Sequence, residues 1–203
     1  MKILRFDHIS SVVKKNDFVP SGYKFREIGI KNTKGRFMFM SYGFYDIDMF
    51  FYPSGDNNTS IPVEIVAYDC SNSISDVEVF ENGFACKVDI CKMYDVLNVF
   101  RLMGMKNEEA LIWEVKGTLD KNSVFLKLIP EENVSPIPID SVGYNCPCFL
   151  VKNTFDLFEE MKSISTVTLS SIDMLKVNGR DLDVGFMSID GFELVLEFIS
   201  LHR

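Results

Sequence analysis

The sequence predicts an α+β fold in which a strand, a helix and then several strands recur along the chain, giving curved, mostly antiparallel sheets. Two stretches carry this reading. Residues 84–89 (Phe-Ala-Cys-Lys-Val-Asp) are strand-like, and Met93, Val96, Leu97, Phe100 and Met103 then fall at helical spacing. Residues 148–151 (Cys-Phe-Leu-Val) repeat the order, followed by Phe155, Leu157, Phe158 and Met161. The third observation is that short apolar runs parted by Gly, Pro, Asn and Asp greatly outnumber the two helical patterns.

The elements follow in order. Residues 3–13 form a β-branched strand holding Phe6-Asp7-His8-Ile9-Ser10-Ser11-Val12-Val13. Residues 14–21 are polar and contain Pro20, so a helix here is short or absent. Strands at 23–30, 36–41 and 45–52 are parted by Asn32-Thr33-Lys34-Gly35 and a weaker break at Gly43. Residues 53–60 are a loop and 62–68 a strand, which completes a degenerate first unit, 1–69. A polar linker over 69–76 leads to the second unit, 77–131, where Gly104 sits at the C-terminal end of the helix. Strands at 111–115 and 124–129 close it, and the proline-rich stretch 130–138 is a linker. The third unit, 141–203, has Asn153 or Thr154 as helix cap and strands at 166–169, 174–177, 182–187 and 192–199. Asn178-Gly179 is a hairpin turn by composition.

Composition narrows the function classes. Hydrophobic residues make up 47% of the 203 and include 18 Phe, enough for a packed core. No apolar run approaches the length of a membrane span, and the stretch before Asp7 is too short for a signal peptide, so a cytoplasmic setting is expected. Net charge is −8 and no basic run exceeds Lys14-Lys15, which argues against nucleic acid. The five cysteines are odd in number and fit free thiols better than a disulfide framework. There is no phosphate-binding glycine loop, nucleophile elbow or H-E-x-x-H helix.

Several residues invite a chemical role. His8 opens the first unit and Glu64 lies in the strand that closes it, and imidazole with carboxylate suits a divalent ion; the alternative is a hydrogen-bonded structural histidine. Cys146 and Cys148 flank Pro147 and would share one strand face, although C-x-C is not the C-x-x-C spacing of redox or zinc motifs. Glu193 and Glu197 fall on one face of the last strand, facing either solvent or a site. Phe39 and Tyr45 belong to an aromatic series that either lines a pocket for a small apolar ligand or fills a sheet core. Arg180 either grips a substrate carboxylate or sits in a solvated turn. His202 is read as a tail residue.

On these residues the chain resembles the vicinal oxygen chelate superfamily, which includes glyoxalase I, extradiol dioxygenases and bleomycin-resistance proteins. In that family βαβββ modules pair around a cleft, and metal ligands come from the first and last strands of each module. The stretch Asp7-His8-Ile9-Ser10-Ser11-Val12-Val13-Lys14 is similar to the opening strand, with His8 on the ligand position. Pro62-Val63-Glu64-Ile65-Val66 is similar to a closing strand, with Glu64 on its ligand position. The second unit departs from the pattern, with Gly83 near the next ligand position and Lys127 or Leu128 near the last. The third unit offers a rival pair in Cys146 and Glu197. The resemblance implies a divalent metal held by His8, Glu64, Cys146 and Glu197, with Glu64 and Glu197 catalytic and Phe39, Tyr45 and Arg180 contacting substrate. It implies lyase, isomerase or dioxygenase chemistry, or else metal-free sequestration of a small molecule or a role as an assembly module. Three modules leave one unpaired, so a homodimer is expected.

Overall fold

Strands joined by helical crossovers can lie parallel, whereas those joined by tight turns lie antiparallel, and both connections recur in this chain. The computed structural model describes residues 3–14, 26–27, 48–52, 61–68, 73–117, 123–177 and 180–202. The first unit holds β1 (Ile3–Lys14), β2 (Arg26–Glu27), β3 (Asp48–Tyr52) and β4 (Val63–Tyr68). The second holds β5 (Glu78–Phe80), β6 (Gly83–Asp89), α1 (Met93–Met103), β7 (Lys106–Glu109), β8 (Ile112–Lys116) and β9 (Ser123–Glu131). The third holds β10 (Gly143–Val151), α2 (Thr154–Met161), β11 (Val167–Leu169), β12 (Asp173–Val177), β13 (Arg180–Ile189) and β14 (Leu196–Leu201).

Each unit has the same internal order. Its first strand pairs in parallel with its last, and the last pairs antiparallel with the one before: β1-β4-β3-β2, β6-β9-β8-β7 and β10-β14-β13-β11. The first and third units are joined through antiparallel β1 and β10 into one nine-stranded sheet. The second unit is a separate five-stranded sheet whose β6 edge is taken by β5. Gly83 permits that edge, because a Cβ there would lie 2.1 Å from the Phe125 carbonyl oxygen and 2.7 Å from the Phe80 ring.

The two sheets and both helices share one core. Phe6 packs on Phe84 of the second unit and on Phe149 of the third, with ring centroids 5.9 and 5.7 Å apart. Phe100 of α1 meets Trp113 and Phe192 edge-on, and Phe158 of α2 meets Phe198. The second unit therefore covers one face of the nine-stranded sheet. On the other face, Cys146, Val184, Phe186 and Val195 form a smaller apolar cluster with Ile139. Both helices end and begin as their residues dictate: Gly104 takes φ 82° after α1, and the Asn153 side chain accepts the Asp156 amide ahead of α2. Among the described residues no helix is long and apolar enough to cross a membrane.

Several expected boundaries shift. β5 and β7 lacked an alternating pattern and were not expected; all four residues of β7 are exposed. The strand expected over 192–199 begins only at Leu196, because Glu193 turns aside to accept the Lys87 amide at 2.6 Å. His202 is not a free tail residue, since its Nδ1 lies 2.6 Å from Asp183 Oδ1. The loop at 53–60, the turn at 178–179 and the strand expected at 36–41 lie outside the described residues.

Candidate metal centre

Four consecutive strands, β4-β1-β10-β14, each carry one donor on the face away from the second unit. His8 stands opposite Cys148 across the β1–β10 pair, and Cys148 opposite Glu197 across β10–β14. Glu64 stands opposite Ser10, two residues along from His8. A β-bulge places His8 on this face. Phe6 pairs with Phe149 and His8 with Cys148, so Asp7 is one residue extra on β1. Without it, strict alternation would point His8 the same way as Phe6, into the core. His8 Nε2 lies 3.3 Å from Glu64 Oε2 and 3.9 Å from Glu197 Oε2. One donor atom from each of His8, Cys148 and Glu197 falls within 4.8 Å of the other two.

The surrounding residues hold these groups in place. The bulge brings Asp7 Oδ2 to 3.1 Å from His8 Nδ1, which leaves Nε2 facing the cluster, and Arg5 stands 3.7 Å from the same carboxylate. Ser10 Oγ donates to Glu64 Oε2 at 2.9 Å within the buried layer. Burial alone would lower the imidazole, but the Cys148 sulfur, the Glu64 carboxylate and the Asp7 hydrogen bond lift His8 well above its ordinary value. Burial also pushes Glu197 up to about 7, opposed by His8 and reinforced by Glu64. The Cys148 thiol is driven well up by burial and by Glu197. The protons held here are those that a cation would displace. Imidazole nitrogen, thiol sulfur and carboxylate oxygen are a donor set suited to a divalent first-row ion, so the residues fit the metal that this architecture implies.

Two modules of one strand order, joined through antiparallel first strands and bearing donors on their first and last strands, decide the architecture. This is the arrangement that the resemblance to the vicinal oxygen chelate superfamily implies. The sequence matches no protein-family model and no curated protein. Among solved structures the chain is similar to a proposed dioxygenase from Bacillus subtilis, at 15% identity over 100% of this chain and 64% of that one, with a TM-score of 0.37. It is also similar to glyoxalase I from Zea mays, at 10% identity over 98% of this chain and 68% of that one, with a TM-score of 0.40. Methylmalonyl-CoA epimerase from Mycobacterium tuberculosis is 12% identical over 66% of this chain and 93% of its own, with a TM-score of 0.25. This chain thus spans 64% of the length of the Bacillus protein. The fold rests on strand order and register, not on these similarities.

The pairing is between the first and third modules, and among the described residues the second module brings no donor to the group. Of the residues expected at the site, His8, Glu64 and Glu197 come together. The cysteine whose sulfur falls within the group is Cys148, whereas the expected Cys146 lies beside it. Between Ile9–Pro147 and Ser11–Tyr144 the register slips by one residue on β10, and Cys146 packs among Ile139, Val184, Phe186 and Val195. Glu193 leaves the group as well: it is buried at the junction with the second unit rather than on a solvent face or beside Glu197. Val195 belongs to the apolar cluster. Arg180 is exposed at the start of β13. Phe39 and Tyr45 lie outside the described residues. Sequence reasoning missed Asp7 and Ser10 as supports, although both flank His8 in the opening strand.

Proposed function

We propose that this chain is a glyoxalase-like protein that takes a small organic molecule at the outer face of the paired first and third modules and acts on it with a divalent metal ion. The observation that supports this reading is the grouping of His8, Cys148 and Glu197 donor atoms within 4.8 Å, with Glu64 at 3.3 Å from His8. An ion held by these residues would supply a Lewis acid for a substrate oxygen, which suits lyase, isomerase or dioxygenase chemistry. Asp7 fixes the imidazole so that Nε2 points into the group. Ser10 fixes Glu64 within the buried layer, where its carboxylate can take or return a substrate proton. Glu197, with a carboxyl lifted to about 7, is the second group able to hold a proton near neutrality. The apolar wall of Val184, Phe186 and Val195 beside the donors suits the carbon frame of a small ligand. A reducing, cytoplasmic setting belongs to this reading, because Cys148 enters the group as a free thiol. So does a homodimer, in which the second module's sheet meets its copy.

A second reading, metal-free sequestration of the same ligand class, is favoured by one observation. His8 lies between Asp7 and Glu64, so an imidazolium would balance the buried carboxylates without an ion. Elemental analysis of untagged protein, with His8→Ala alongside, separates the two. Near-stoichiometric metal that is lost in the folded variant supports the metalloenzyme. Absence of metal after incubation with Zn, Mn, Ni and Fe(II) supports sequestration.

A further inference from the structure

We infer that Cys148 makes this a thiophilic centre, its sulfur entering the coordination shell and selecting zinc-like ions over magnesium, calcium or manganese. The inference rests on the metal reading above and adds the identity of the decisive donor and the class of ion. Among the free cysteines of the described residues, Cys148 alone falls within the group. Cys146, two residues away in sequence, lies near enough to feel the charges of Glu197, His8 and Glu64, but its sulfur falls outside the group and packs in the adjoining apolar cluster. Cys86 is buried in the main core, and Cys91 is exposed beyond β6. The other donors at the site are all nitrogen or oxygen: His8, Glu197 and the adjoining Glu64. That set alone already ranks zinc above manganese, and a thiolate widens the margin because soft sulfur favours Zn, Co or Cd over hard cations. The sulfur is in place by construction, since Cys148 stands directly opposite His8 and Glu197 in the strand register.

Cobalt(II) reads out the sulfur without any assay of activity. Chelator-stripped full-length chain is titrated with Co(II), and its absorption spectrum is compared with those of Cys148→Ser and Cys146→Ser, each checked for folding by circular dichroism. The wild type is expected to show visible d–d bands together with a near-ultraviolet thiolate-to-cobalt charge-transfer band. Cys148→Ser keeps d–d bands and loses the charge-transfer band, while Cys146→Ser keeps both. Addition of Zn(II) bleaches the wild-type spectrum at equimolar concentration, whereas Mg(II) or Mn(II) leaves it unchanged. Visible bands without charge transfer in the wild type, or loss of charge transfer in Cys146→Ser instead, would overturn the role of Cys148 and leave the metal reading standing. Complete absence of cobalt bands would overturn both. Displacement by Mn(II) as readily as by Zn(II) would overturn the selectivity.

Discussion

Ser10 is a small residue with a large assigned effect. Its hydroxyl donates to a buried carboxylate that would otherwise give up part of its solvation for nothing. Ser10→Ala is expected to cost about 1 kcal/mol of stability and to weaken metal affinity about tenfold, measured by denaturation and by competition with a chromophoric chelator. Unchanged affinity would remove Ser10 from the site's support. Glu193 gives a pH prediction of definite sign. Burial, opposed by the Lys87 amide and reinforced by Asp76, lifts it from 4.5 to about 7. The folded state therefore holds this proton more tightly than the unfolded chain does. Its favourable contribution is full below about pH 4.5 and is lost as pH rises through about 7. Thermal melts at pH 5 and pH 8 should differ less in Glu193→Gln than in the wild type, by on the order of 1 kcal/mol once solvent screening is allowed for. Parallel melts in the two proteins would contradict this. At this scale His8, Glu64 and Glu197 were legible in the sequence, because each is a polar group in an otherwise apolar strand. Cys148 was not separable from Cys146, because period-two alternation puts both on one face and only the strand register sets Cys148 directly opposite His8 and Glu197.

At the scale of elements, the helices were the most legible part of the chain. Val96, Val99, Phe100 and Met103 bury one face of α1, and Gly104 ends it. β7 was hidden because Lys106, Asn107, Glu108 and Glu109 are all exposed, with no apolar face to set a period. The bulge at Asp7 was hidden for a different reason: sequence alternation carries no sign of an inserted residue until a partner strand supplies the register. Gly83 was read only as a missing ligand, whereas its structural role is close approach. Gly83→Ala would force a Cβ against the Phe125 carbonyl oxygen, 2.1 Å away, where backbone must move to make room. A loss of about 2–3 kcal/mol is expected in urea denaturation. A change below the scatter of ordinary surface substitutions would show that β5 and β9 yield easily.

For the whole molecule, the repeat was legible but its pairing was not. All three units share one strand order, so nothing local distinguishes which two will join. The choice is visible only in three dimensions: β6 is edged by β5, while β1 and β10 are free to pair. The second module then covers the face bearing Phe6, Phe149 and Phe198. Phe149→Ala, which removes a ring packed against both Phe6 and Phe198, should cost about 3–5 kcal/mol, read as a lowered urea midpoint. A loss under about 1 kcal/mol would contradict a core shared across the units. The central claim is that paired first and third modules assemble one metal centre from four adjacent strands. Crystals grown with zinc and measured at the zinc absorption edge test it most directly. The account predicts a single anomalous peak bounded by His8, Cys148 and Glu197, with Glu64 adjoining. A peak centred on any other group, or none at these residues in crystals that contain zinc, would contradict it.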